Sequence, residues 1–445
     1  MTRIRVSTIS ALATLCTCSF AFASPPDIGT RPAAPRAQAE APAPEAASGS
    51  APSSPLVIAT DGSGDGDGND VVVEQPVVQQ DQPAIVQQDQ PAVAQQDPAV
   101  VATGAPRDWA LVHAGLRPHL GTFAGIATLA LAQSRTERFY GATSLTLIRN
   151  DAGTHVGAAQ VALGRNLSDD FKGGLQLTLG ENRARNFAGV GQLALAYNRS
   201  VDMVGVFQVA VHNRSDRLYF APQVGGYNRV DTGYYGVAQL GVVNFAERDF
   251  LGIAQLGVLS VQGEPFDGDG YEFVGLLQAG AFSSADRFRG PLQLGALSFS
   301  DDFAGLFQIG GLGSVANTFR GVAQVGLFSG AAESYGMQLG AIAYAADEHQ
   351  GLQVGVLGNY ADELRGAQLG AANLAEDEMH GAQIGIANFA DEVRGVQIGL
   401  FNHAESLRGV QLGLVNHAKD GVLEWTTLIN MGFDSAGPGA WTASR

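Results

Sequence analysis

The chain has 445 residues, 45% apolar and only 16% charged, with 58 glycines and a formal charge of −17. A balance of 43 acidic against 26 basic side chains excludes a nucleic-acid binder, which needs a basic face for phosphates. The two cysteines, Cys16 and Cys18, sit close to the N-terminus, which excludes a disulfide scaffold and a cysteine zinc site.

Arg3 and Arg5 precede an apolar run at 9–22, and Ala21-Phe22-Ala23 forms a small-x-small cleavage box. This predicts a secretory signal peptide over 1–23, with an apolar core too short to span a bilayer. Neither Leu15 before Cys16 nor Thr17 before Cys18 suits a lipobox. The expected localisation is therefore export through the inner membrane, to the cell surface, the outer membrane or the medium.

Residues 24–104 are rich in Pro, Ala, Gln and Asp, and 75–97 repeat a QPxVQQD phrase. Such a segment buries too little apolar surface to offset chain entropy, so it reads as a disordered tether. The acidic glycine run at 61–70 has the alternation of a calcium loop, but Val72 stands where an EF-hand needs glutamate.

From 105 to 433 the chain reads as one tandem β-repeat domain, followed by a polar tail at 434–445. A central glutamine recurs seventeen times between Gln160 and Gln411, at spacings of 14 to 16 residues with one of 23 between Gln255 and Gln278. Degenerate copies precede Gln160, and 422–433 reads as a last divergent copy. Each copy opens on a bulky apolar residue such as Phe171, Phe187 or Phe250, with glycine two positions later. Asparagine often closes the phrase, as at Asn373, Asn388, Asn402 and Asn416. Alternation of period two ending in a turn residue reads as strand.

Two all-β architectures accommodate this pattern. In a β-solenoid each repeat is one coil, and like residues stack about 4.8 Å apart. Gln353, Gln368, Gln383, Gln397 and Gln411 would then form one ladder, and Asn373, Asn388, Asn402 and Asn416 another, around an interior narrow enough to favour glycine and alanine. The alternative is an up-and-down outer-membrane barrel acting as a pore or anchor, with Leu175, Leu177 and Leu179 facing lipid and Gln176 and Thr178 the lumen. The solenoid is preferred. The repeating unit is a single phrase rather than a hairpin pair. The spacings show no short-turn, long-loop alternation.

The phrases GAQLGAANLAEDEMH, GAQIGIANFADEVR, GVQIGLFNHAESLR and GVQLGLVNHAKDG resemble the bacterial surface repeat family, with its tandem GVQIGL[FI]N units behind a signal peptide. The match is close over 336–433 and looser over 155–335. The resemblance implies an exported, surface-associated protein and brings no catalytic residues.

No nucleophile, metalloprotease or phosphate-loop motif is present, so no catalytic or cofactor-binding residue is expected and the chain reads as non-enzymatic. His403 and His417 lie one repeat apart, two ligands where zinc usually takes three or four, and read as exposed corner residues. Carboxylates recur at one corner as Asp362-Glu363, Glu376-Asp377-Glu378, Asp391-Glu392 and Glu405, followed by Arg365, His380, Arg394 and Arg408. The expected arrangement is two parallel rows that neutralise each other, with divalent-cation binding as the alternative. The 23-residue spacing marks an insertion whose Asp267, Asp269 and Glu272 are calcium candidates. The expected partner is a component of the cell envelope or the extracellular space.

Overall fold

The computed structural model describes residues 107–263 and 270–433. The signal segment, the tether, the polar tail and the calcium candidates Asp267 and Asp269 lie outside the described residues.

Each repeat is one turn of a parallel β-solenoid, and about eighteen turns stack on one another. Consecutive turns pair in parallel with like on like: Asn166 opposite Asn182, Phe171 opposite Phe187, Gln176 opposite Gln192. The same holds at the far end, where Asn388 faces Asn402 and Gln397 faces Gln411. This overturns the barrel alternative. Neighbouring strands of an up-and-down barrel run in opposite directions, and these run the same way.

A turn has three short sides, seen most plainly in the strands Asp249–Leu251, Ala254–Leu256 and Leu259–Gln262. Side chains alternate in and out along each strand. The first side sends Phe250 inward, the second Gln255, the third Ser260 and Gln262. The inserted residues fall between the third side of this turn and the first side of the next, which begins at Glu272.

Glycine serves both inside and at the corners: a Cβ on Gly370, Gly385 or Gly399 would lie 2.6 to 2.7 Å from the Nδ2 of a buried ladder asparagine. Gly366, Gly381, Gly395 and Gly409 have φ between +138 and +153°, and a Cβ on any of them would lie 1.9 to 2.0 Å from the carbonyl oxygen of the corner glycine one turn back. Only glycine permits both the conformation and the approach. Alanine also lines the interior, as Ala375, Ala390, Ala404 and Ala418 on the third side.

Three columns fill the centre. The first is aromatic and runs through Phe123, Phe139, His155, Phe171 and Phe187, then through Tyr234, Phe250, Phe273, Phe288, Phe303 and Phe319. Where rings adjoin, centroids are 4.4 to 5.3 Å apart and planes lie within 15°. Met203 and Leu218 bridge Phe187 to Tyr234, and Leu364, Met379, Val393 and Leu407 continue the column at the C-terminal end. Such offset ring contacts stabilise beyond their buried area.

The other two columns are amide ladders. From Gln176 to Gln411, each Nε2 donates to Oε1 of the glutamine one turn earlier at 2.7 to 2.9 Å, without a break across the insertion. The second hydrogen often goes to a carbonyl of the same turn, as from Gln383 to Phe389. Asparagine stacks in two runs, Asn166 to Asn244 and Asn359 to Asn416, with Nδ2 donating to Oδ1 one turn later at 2.7 to 3.0 Å. Between the runs Ser260, Ser283, Ser298 and Ser329 take over, each hydroxyl donating to a carbonyl of the next turn. The two ladders donate in opposite directions along the axis, so their amide dipoles oppose rather than add.

The C-terminal end departs from the expected repeat. Residues 422–433 form no further parallel turn. The strand Trp425–Gly432 runs antiparallel along Phe401–Ala418, from Gly409 opposite Gly432 to His417 opposite Trp425. It occupies an edge that would otherwise present unpaired backbone groups to another chain. Asn430 meets the last rung of the glutamine ladder, Gln411, at 3.5 Å.

Candidate functional site

The second side of the solenoid is its most unusual surface. Gln points inward there, so the residues flanking it point outward, and these are apolar in turn after turn. Segments run from the corner position to the next corner: GIATLAL at 125–131, GVGQLAL at 189–195, GIAQLGV at 252–258, GVAQVGL at 321–327, GVQIGLF at 395–401. From 125–131 to 409–415 none of these segments contains Asp, Glu, Lys, Arg or His. The whole side is an uncharged strip along the solenoid, and the ionised groups of these turns lie on the other two sides.

The strip is ridged. One exposed column runs through Leu131, Leu147, Leu163, Leu179, Leu195, Val211, Val242 and Val258, reappearing as Leu327, Val356, Ile386, Leu400 and Leu414. Leu131 is 65% exposed, Leu195 64% and Val356 71%. A parallel column includes Leu129, Leu145, Leu193, Leu369, Ile384 and Ile398. Between them runs a furrow of about 720 Å³ near the N-terminal end, floored by Ala130, Thr146 and Ala162. A second of about 560 Å³ is floored by Gly326 and Gly340 and walled by Leu327, Leu339 and Val356.

Gln353, Gln368, Gln383, Gln397, Gln411 and Asn373, Asn388, Asn402, Asn416 are fully or almost fully buried ladder members and present nothing to a ligand. Glu272 opens a first-side strand. Its backbone N–H donates to Asp249 Oδ1 at 3.1 Å, and its carboxylate lies 3.9 Å from Arg289. Among the described residues no three His, Cys, Asp or Glu side chains converge as a metal site.

His403 and His417 are not free corner residues. Their rings stack at 4.8 Å, their Nδ1 atoms are 2.8 Å apart, and Trp425 of the terminal strand lies 4.3 Å from His417. Both are half-buried: His417 covers His403, and the reversed strand, which no periodicity announced, covers His417.

At the acidic corner the two rows do form, but the pairing is partial. Arg365 reaches Glu348 at 3.0 Å and Glu363 at 3.5 Å, His380 reaches Glu378 at 3.6 Å, and Arg394 reaches Glu392 at 3.6 Å. Partial burial, reinforced by neighbouring carboxylates (Asp377, Glu376 and Asp347 for Asp362; Glu405, Asp377 and Glu376 for Asp391), holds Asp362 and Asp391 above the usual carboxylate range. Lys419 pairs with Glu405 at the end of the row.

Sequence reasoning missed two titratable groups. His155 and His349 occupy the phenylalanine position of their turns, each two residues before a corner glycine, and both are fully buried. His155 lies between Phe139 at 4.4 Å and Phe171 at 5.1 Å. His349 follows Ser334, which holds that position one turn earlier. The ring nitrogens of His349 and the Ser334 hydroxyl have no hydrogen-bond partner. Burial lowers both histidines to about 4. The apolar core divides at each of them: one cluster ends at Phe139 and the next begins at Phe171, and the clusters on either side of Ser334 and His349 are likewise separate. The signal was available, since His155-Val156-Gly157 and His349-Gln350-Gly351 keep the spacing, but the residue type broke the pattern.

The fold defines this protein as a parallel β-solenoid of short, three-sided turns with one apolar side. Comparison with known proteins found no matching family model, no matching curated protein and no matching solved structure.

Proposed function

We propose that the chain is an exported, non-enzymatic, surface-associated repeat protein with a structural, adhesive or protein-binding role, and that the apolar side is its docking surface. The observation that carries this reading is the uncharged side itself. Soluble monomers rarely leave contiguous apolar patches beyond a few hundred Å², and larger ones mark interaction sites. The leader-like N-terminus and the resemblance of the GVQIGLFN phrases to surface repeats support export.

Export is tested by expressing the full chain in a bacterial host, sequencing the N-terminus of the product and treating intact cells with proteinase. The expected product begins at Ser24 and is digested on intact cells or recovered from the medium. A chain that keeps Met1 and stays in the cytoplasm would refute the reading.

A further inference from the structure

The apolar side is much larger than a monomer tolerates. Its exposed columns sum to on the order of 2,000 Å², against the few hundred Å² of an ordinary surface patch and about 800 Å² per partner in a standard interface. Its relief also constrains the occupant. A ridge (Leu131, Leu147, Leu163) stands beside a furrow floored by Ala130, Thr146 and Ala162, and the same pairing of ridge and furrow returns at Leu327, Val356 and Gly340. A surface that carries both a ridge and a groove of matching pitch can meet itself, each ridge entering the partner's groove. That is the self-complementarity an isologous contact requires. The pitch matches automatically, because both copies step by the same interstrand spacing.

Charge points the same way. The side holds no ionised group from 125–131 to 409–415, so two copies brought together there bury no like charges. The rest of the molecule carries a net −17, which opposes adsorption to an anionic lipid surface. Two flat sheets packed face to face, about 10 Å apart, form the sandwich in which apolar sheet faces are ordinarily buried.

We propose that a second copy of this chain covers the apolar side, making a face-to-face homodimer. The inference rests on the reading of this side as the docking surface. It places Leu163, Leu195 and Val258 in the interface and Lys172, exposed on the first side, outside it.

Sedimentation velocity of the full chain at micromolar concentration without detergent tests it, with flotation on vesicles of neutral and of anionic lipid in parallel. The native chain and Lys172→Glu should sediment at twice the chain mass. Leu163→Glu, Leu195→Glu and Val258→Glu combined should sediment as a monomer, with far-UV circular dichroism unchanged and a melt that stays cooperative and no longer depends on protein concentration. Leu195→Glu alone, less demanding of the fold, should raise the dimer dissociation constant at least tenfold. A native monomer that floats with vesicles would overturn the homodimer while leaving the side a docking surface. A native monomer that does not float would overturn the homodimer and a lipid surface alike. A native dimer that the glutamates fail to weaken would place the interface elsewhere.

Discussion

The buried histidines make the solenoid sensitive to mild acid, by an amount that follows from their burial. His349 is held at about 4 in the folded chain, against 6.5 for a free histidine. The unfolded chain therefore binds a proton that the folded chain refuses. The contribution to stability is complete above pH 6.5 and is lost as pH falls from 6.5 toward 4, where it levels off. The full shift corresponds to about 3 kcal/mol, and at pH 5 about 2 kcal/mol has already gone. His155, also at about 4, adds a similar amount in a different part of the stack. His212 is likewise lowered to about 4, by burial and by Arg214 and Arg229, but it is half-exposed and contributes less. Asp362 and Asp391 act with the opposite sign, since their raised values relieve repulsion as they protonate. These other groups are common to the native chain and a His349 variant, so the difference between the two isolates one histidine. His349→Leu suits the site, because Leu364 already fills the column one turn on. Urea denaturation of both proteins at pH 7.5 and pH 5 should show the native chain losing about 2 kcal/mol more than the variant. The variant should also gain about 1 kcal/mol or more at pH 7.5, as two unpartnered nitrogens leave the interior. Equal losses in the two proteins would refute the argument, as would a nuclear magnetic resonance titration placing His349 near 6.5.

The corner and the ladder give two further tests. Gly381→Ala forces a side chain onto φ +138° with its Cβ 1.9 Å from the Gly366 oxygen, and should cost about 3 kcal/mol or more in thermal melting; a loss under about 1 kcal/mol would mean the corner relaxes freely. Gln308→Leu removes the acceptor of Gln324 and the donor to Gln293, and should cost about 2–5 kcal/mol because two buried amide groups are orphaned. Gln411→Leu, at the ladder's end where Asn430 approaches only to 3.5 Å, should cost about half as much, and equal costs would show that the ladder's continuity is not what stabilises it.

The repeat was legible because stacking rewards identity. A glutamine returning every 14 to 16 residues has one obvious use, which is to meet another glutamine, and a single phrase per repeat implies parallel turns. The direction in which that glutamine points was not legible. Alternation reports that Gln383 and its neighbours Ala382 and Ile384 lie on opposite faces, and hydropathy alone would bury Ile384. What decides the matter is that a polar amide inside can be fully satisfied by the turns above and below, whereas the centre already holds one bulky column and has no room for three. The histidines at 155 and 349 escaped for a related reason. They obey the spacing but not the residue type, and only the stack reveals that a ring of similar shape takes the phenylalanine place. The reversed strand Trp425–Gly432 was invisible because its apolar alternation is the same whichever way it runs.

Polar ladders inside and an apolar side outside invert the usual division, and the inversion has a consequence for specificity. A slip of one residue between two turns would turn every inward glutamine outward and leave its partners in the adjoining turns unpaired. Each such orphan costs about 1–3 kcal/mol, whereas sliding one leucine past another costs little. The amide ladders thus fix the register that apolar packing alone would leave open, and they hold it across the insertion that stretches this spacing to 23 residues, where Gln278 still donates to Gln255 at 2.9 Å. With register and cohesion supplied from within by amides, stacked rings and the parallel backbone, the outward residues of the second side are not needed to hold the turns together. Their hydrophobicity therefore calls for an explanation outside the single chain, and a covering partner supplies it.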